Sequence, residues 1–109
     1  MRAGYDRALA DHDVVVLPTT PGVAHEQAPE LTAAENVRRG WAVLANTSAT
    51  DMTGHPALTI PAAESRGLPV GLMLVGRRFD DARLLQFGEL VERRLGWKPE
   101  HPGDPRTGR

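Results

Sequence analysis

The sequence contains no cysteine, which excludes disulfide bonds and metal sites built on thiolates. It has a single lysine, Lys98, so almost all of its positive charge comes from arginine. Thirteen lysine and arginine side chains stand against fourteen acidic ones, and the net charge is -1 at pH 7. Because this balance provides no excess of positive charge, we expect neither nucleic acid nor an anionic membrane as a partner.

The sequence also lacks an apolar run long enough to cross a membrane, and its first residues do not have a secretory signal pattern. We therefore expect a cytoplasmic protein. The consecutive residues Asp11, His12 and Asp13 cannot all face one ion on a helix or a strand. We predict no metal site and no cofactor.

The length of 109 residues is of single-domain size, and a composition of 40% hydrophobic and 25% charged residues is ordinary for a soluble globular protein. Two extended runs, residues 57–60 and 70–75, are bounded by prolines and separated by the turn residues 64–67, which predicts a β-hairpin. Residues 14–17 form a continuous apolar run. This run predicts a third strand, buried on both faces and typical of parallel sheets.

Three helices are predicted around these strands. Residues 1–12 and 81–95 carry apolar residues at helical spacing, and the second of these segments would cover the sheet. Another helix begins at Thr32, which forms a capping box with Glu35. On this helix we predict Trp41 to be a core anchor, with contact to a substrate as the alternative. Its apolar stripe consists of Val37, Trp41, Leu44 and Ser48.

The run at residues 14–17 is stopped by the sequence Pro18-Thr19-Thr20-Pro21, which holds two hydroxyl groups in a restricted loop. Loops at the carboxyl ends of strands in α/β sheets are common ligand sites. Thr19 and Thr20 are therefore candidate substrate-binding residues. The alternative is an ordinary proline-capped end of a strand.

His55 is a conceivable general base, with Ser48 or Thr53 as a nucleophile. The spacing of these residues provides no base held by an orienting group. We predict instead that His55 is a turn residue whose imidazole bonds to the local backbone.

Five longer motifs follow one another along the chain. They are DVVVLPTTP at residues 13–21, LANTSATDMT at 44–53, TGHPALTIPA at 53–62, GLPVGLMLVG at 67–76 and RFDDARLLQFGELVE at 78–92. This series resembles the C-terminal part of amidase signature enzymes, the hydrolases that cleave carboxylic amides, and is most similar to bacterial amidases that act beside nitrile hydratases. The resemblance implies that residues 1–97 are a C-terminal part of that domain. The expected fold is an α/β fragment of its mixed sheet, with about three strands and three helices. Residues 98–109, rich in proline and glycine, are predicted to be disordered.

The resemblance also implies a catalytic Ser-Ser-Lys triad in the N-terminal two thirds of the family's domain. Here the single lysine is Lys98, and no Gly-Gly-Ser-Ser-Gly type loop occurs. We therefore predict no catalytic residue in this sequence, and a C-terminal segment of an amide hydrolase that is not competent alone. The alternative is a non-catalytic remnant or binding module that keeps only this part of the fold.

Leu44 is a third candidate substrate-binding residue. In the branch of the family that draws ammonia from glutamine, the resemblance implies an acidic residue seven positions before the Asn of an Asn-x-x-Gly-x-Pro turn. In this sequence Asp51 occupies the Asn position and Leu44 the acidic one. An apolar residue there argues against glutamine and suits an aliphatic or aryl amide. Plain helix packing is the alternative explanation of Leu44.

A family sheet present only in part would have an unpaired edge and an uncovered apolar face. We expect the partner to be the missing N-terminal amidase portion or a second copy associating through the exposed sheet. The expected ligand of the completed site is a small-molecule amide.

Overall fold

The computed structural model describes residues 1–97, which form four helices and one three-stranded sheet. The predicted disorder of residues 98–109 lies outside these described residues. In chain order the elements are α1 (Arg2–Asp11), β1 (Val15–Pro18), α2 (Ala33–Val43), α3 (Thr47–Thr53), β2 (Ala57–Ser65), β3 (Leu68–Val75) and α4 (Asp81–Leu95).

The sheet has the strand order β1-β3-β2, so β3 is central and both of its neighbours run antiparallel to it. Met73 of β3 lies between Leu17 of β1 and Thr59 of β2. The predicted α/β class, the three strands and the hairpin are confirmed. The polarity differs from the expected mixed sheet, since every strand pair within residues 1–97 is antiparallel.

The hairpin between β2 and β3 turns at Arg66 and Gly67, whose φ angles are 53° and 78°. Two successive left-handed residues match the twist of antiparallel strands and give a tight two-residue turn. β2 continues to Ser65, past the strand end that was predicted at Pro61. A register shift between Pro61 and Ala63 accommodates the proline, which has no N–H to donate to the ladder.

A buried hydrophobic cluster lies between the sheet and α4. Ile60, Leu74 and Leu84 are its buried centre, with exposures of 4%, 1% and 5%. Gly88 allows α4 to approach β2 closely, because a β-carbon at that position would collide with the Leu58 side chain. The prediction that the last helix covers the sheet is confirmed.

α1 is fixed to the strand region through Leu9, which is 2% exposed. At the C-terminal end of α1, Arg77 donates from Nε to the Leu9 carbonyl at 2.8 Å and from a terminal nitrogen to the His12 carbonyl at 3.2 Å. These bonds satisfy carbonyl groups that a helix end leaves without partners. The predicted first helix is confirmed.

α2 begins with the predicted capping box. The Thr32 hydroxyl and backbone N–H donate to Glu35 Oε2 at 2.7 and 2.9 Å, and the Glu35 N–H donates back to the Thr32 hydroxyl at 3.3 Å. Both hydrogen bonds from Thr32 favour the ionised carboxylate of Glu35, and the bond from the hydroxyl has a larger effect than the bond from the backbone N–H. They lower the pKa of Glu35 below its ordinary value of 4.5.

The rest of the prediction for this segment is wrong. α2 ends at Val43 and α3 starts at Thr47, so the single predicted helix is two helices. No residue of α2 is buried, and Trp41, expected to anchor the core, is 69% exposed. The physical reason is that the buried hydrophobic side chains of residues 1–97 come from α1, the sheet and α4, and α2 contributes none.

β1 also differs from the prediction. Val16 is 52% exposed, and burial alternates along the strand instead of covering both faces. β1 is an edge strand, and α4 packs against β2 and β3. The face of β1 that carries Val16 is therefore only partly covered.

Candidate substrate-binding site

The loop that leaves β1 is held by one hydrogen bond to β3 and one to β2. The Thr19 N–H donates to the Gly71 carbonyl at 2.9 Å, and the Thr19 hydroxyl donates to the Thr59 hydroxyl at 3.2 Å. Glycine is required at position 71, because a β-carbon there would lie 2.7 Å from Thr19 Oγ1 and 2.8 Å from Thr59 Cγ2. Thr19 is thus fixed in position by β2 and β3 together.

The antiparallel sheet changes where this loop lies. Pro18, the last residue of β1, is opposite Leu72 in the middle of β3. The expectation of a ligand site at a common carboxyl edge applies to parallel strands. In this antiparallel sheet the loop after β1 lies beside the N-terminal half of β3. A binding role for Thr19 therefore depends on groups from the helices that flank the loop.

One such flanking group is Asn46, which lies between α2 and α3. Its side-chain nitrogen donates to the Pro18 carbonyl at 2.8 Å. This bond joins the loop after β1 to the segment that contains Leu44. The sequence analysis did not select Asn46 or Thr59 as site residues, because their partners are 28 and 40 residues away.

Thr20 lies one residue further along the loop. Its hydroxyl donates to the Gly22 carbonyl at 2.8 Å and so closes its own turn. Thr20 also lines a cavity of about 220 Å³ that reaches Val43 of α2. The structure therefore places Thr20 at a cavity wall, whereas Thr19 is bonded to the sheet.

A larger cavity of about 510 Å³ lies between residues 25–31 and α2. This volume is in the range of small-molecule sites. His25, Asn36 and Arg39 supply polar groups, and Val43 supplies an apolar wall shared with the smaller cavity. These residues were not predicted, since only the fold brings the irregular segment against this side of α2.

Leu44 lies at the C-terminal end of α2 and is 47% exposed. Its N–H donates to the Trp41 carbonyl at 3.2 Å, and its carbonyl accepts from the Ser48 N–H at 2.9 Å. It lines neither of the two cavities just described. Leu44 is not packed into the core of residues 1–97, so its side chain is accessible to another molecule.

His55 is enclosed by the fold, with 5% of the residue exposed. Its Nδ1 lies 3.0 Å from the Thr53 hydroxyl, its Nε2 lies 3.3 Å from the Asp6 carboxylate, and its ring centre is 5.1 Å from that of Tyr5. The predicted bond from His55 to the local backbone is wrong, because the partners of the ring are the side chains of Thr53 and Asp6. His55 joins α1 to the turn before β2.

These groups are suited to binding. At the larger cavity the Arg39 guanidinium and the His25 imidazole can hold a polar group, and Val43 can contact an apolar one. Within residues 1–97, no cluster of three or more histidine or carboxylate side chains is placed to hold a metal ion. None of the described helices combines the length and apolar character needed to span a membrane.

Comparison with known proteins defines the class. The family described as Amidase matches residues 1–85. The chain therefore belongs to the amidase family.

Two curated relatives illustrate the match. The chain is 44% identical over 99 residues to an uncharacterized protein in the nthA 5' region of Rhodococcus erythropolis, covering 90% of this chain and 50% of that protein. It is 37% identical over 103 residues to an enantioselective amidase of Rhodococcus rhodochrous, covering 94% of this chain and 20% of that protein.

Two solved structures share the fold. A crystal structure of an amidase aligns with a TM-score of 0.72 and 30% identity, over 87% of this chain and 22% of the amidase. The crystal structure of a glutamyl-tRNA(Gln) amidotransferase subunit from Thermotoga maritima aligns with a TM-score of 0.67 and 26% identity, over 84% of this chain and 20% of that protein. The chain thus spans between a fifth and half of the length of these relatives.

Proposed function

We propose that this chain is the C-terminal segment of an amide hydrolase that converts a carboxylic amide to an acid and ammonia. The observation that carries the proposal is the continuous match to the amidase family over residues 1–85, together with a shared fold that accounts for 22% of a solved amidase. The segment is not catalytically competent alone, because the sequence has no Ser-Ser-Lys triad.

In the complete enzyme a serine of the remaining amidase portion attacks the amide carbonyl. The C–N bond breaks and the nitrogen takes the serine's proton to leave as ammonia, and water then hydrolyses the acyl-enzyme to the acid and the free serine. This chain contributes binding surface to that reaction. Thr20 lines a cavity of this chain, Leu44 supplies pocket wall only together with the remaining amidase portion, and Thr19 holds the loop after β1 against the sheet.

The substrate we infer is an aliphatic or aryl amide. An apolar side chain at position 44 does not bond to the polar end of glutamine, and a buried amide facing such a wall loses hydrogen bonds. The similarity to the enantioselective amidase of Rhodococcus rhodochrous supports a place among bacterial amidases. The similarity to the amidotransferase protein supports the fold and does not extend to its substrate.

A chimera tests this function. The matching segment of the Rhodococcus rhodochrous amidase is replaced by residues 1–97 of this chain, and ammonia release is measured with an aryl amide and with glutamine. We expect turnover of the aryl amide by the chimera and none by the isolated chain. A folded chimera without amide turnover would contradict the proposal.

The alternative is a binding module that retains the fold fragment without the reaction. The Rhodococcus erythropolis relative favours this alternative, because the chain covers 50% of it and only 20% of the enantioselective amidase. The intact mass of the protein in its source cells separates the two functions. A measured mass of 11.8 kDa would mean that the protein consists of this chain alone, which has no triad.

A further inference from the structure

α2 is an amphipathic helix whose apolar side is turned away from the rest of the chain. Val37, Trp41 and Leu44 lie at positions i, i+4 and i+7 and are 58%, 69% and 47% exposed. We call these three residues the α2 stripe. The side of α2 that faces residues 25–31 is a different one and carries Asn36 and Arg39.

The α2 stripe is one part of a wider distribution of uncovered apolar side chains. Among residues 1–97, twelve large hydrophobic side chains are exposed and six hydrophobic ones are buried. The exposed side chains lie on several faces of the described fragment. Val16 is on the sheet face beside α4, since it is opposite Leu74, and Phe79 is 93% exposed in the loop before α4.

We propose that the α2 stripe docks onto the remaining amidase polypeptide, the part that would carry the triad, with Trp41 as its central anchor. This inference rests on the proposed function and names its partner and the contact surface. The matched structures contain this fold as 20% and 22% of their chains, so about four fifths of an amidase lies outside it. Tryptophan is the residue type most often found as an energetic centre of an interface.

A second copy of this chain is a less suitable partner for the α2 stripe than the remaining amidase polypeptide. Stable interfaces use about 20 to 30 residues from each partner, and a symmetric contact through three side chains of an 11-residue helix falls far below that size. A symmetric dimer would also cover one patch and leave Val16 and Phe79 exposed. A large partner that wraps around the fragment covers all of these faces at once.

The test is co-expression of the full chain with the Rhodococcus rhodochrous amidase truncated to remove the segment that this chain matches. The variant Val37→Asp places a charge in the α2 stripe. The control Arg38→Asp places a carboxylate one position along the helix, off the stripe, and makes the net charge two units more negative, so it is the stricter test of charge alone. Because α2 has no buried residue, both variants of the isolated chain are expected to keep the wild-type melting temperature.

We expect a soluble 1:1 complex with the wild-type chain, an affinity loss of about 100-fold or more for Val37→Asp, and a change below about threefold for Arg38→Asp. The absence of a soluble complex, or equal binding by Val37→Asp, overturns the proposal. A dimer of the isolated chain that Val37→Asp dissociates also overturns it, in favour of a second copy. A complex that forms without amide hydrolysis leaves the docking surface standing and removes the proposed function.

Discussion

The imidazole Nε2 of His55 lies 3.3 Å from the carboxylate of Asp6, a residue 49 positions earlier in the chain. The histidine side chain is fully enclosed, while that of Asp6 is 44% exposed and also lies 3.5 Å from the Arg78 guanidinium. On the other side of the ring, Nδ1 meets the buried Thr53 hydroxyl. This contact joins α1 to the turn between α3 and β2.

Removing the carboxylate is expected to destabilise the fold. In Asp6→Ala the buried Nε2 of His55 loses its partner, and an unsatisfied buried polar group costs about 1 to 2 kcal/mol. Asp11→Ala on the same helix is the control, because Asp11 is exposed. Chemical denaturation measures both free energies of unfolding. Equal values for the two variants would show that the Asp6–His55 contact contributes nothing.

Gly71 and Gly40 are expected to respond to alanine in opposite directions. At position 71 the new methyl group meets Thr19 and Thr59, whose β-branched side chains have little rotamer freedom, so Gly71→Ala should lose about 1 to 3 kcal/mol. At position 40, inside α2, nothing lies within 4 Å of the new atom. Gly40→Ala should therefore gain about 0.5 to 1 kcal/mol through helix propensity.

Thermal unfolding of the two glycine variants measures both changes, with helix content from circular dichroism as the readout for Gly40→Ala. A stable Gly71→Ala variant that retains the Thr19–Thr59 contact would contradict the close packing of this loop.

Phe79 combines a left-handed backbone, with φ at 64°, and a side chain that is 93% exposed. Such a conformation costs a bulky residue about 1 to 3 kcal/mol, and the exposed ring recovers little of it. Asparagine tolerates this region better, so Phe79→Asn is expected to stabilise the isolated chain by about 1 kcal/mol. Leu85→Asn, in the exposed part of α4, is the control and should give no gain. A lower melting temperature for Phe79→Asn would indicate that the ring packs against this chain.

The capping box of α2 predicts a pH dependence of helix content. The bonds from Thr32 lower the pKa of Glu35 below 4.5, so the folded state binds this proton less tightly than the unfolded state does. The contribution of the box is therefore present above pH 4.5 and is lost as the pH falls through the lowered pKa of Glu35. Titration of Glu35 by NMR should show a midpoint that returns towards 4.5 in Thr32→Ala. An identical midpoint in both proteins would rule out the box as the cause.

Features that depend on residues close together in the sequence were predicted correctly, and contacts between residues far apart in the sequence were not. The hairpin and the capping box depend on residues within a few positions of one another, and both are in the structure. The prediction for Trp41 failed because an apolar stripe shows that a helix has a side to cover without showing what covers it. The prediction for His55 failed in its partners because Asp6 is distant in sequence.

The sequence by itself determined the family, the absence of the triad and the local elements, since motifs and backbone preferences are properties of short segments. The tertiary structure decided which side chains meet. It holds Thr19 against Gly71 and Thr59, encloses His55 beside Asp6, and turns Val37, Trp41 and Leu44 outward. The physical reason is that these contacts depend on how the antiparallel sheet and α4 close the core, and that closure leaves α2 outside it.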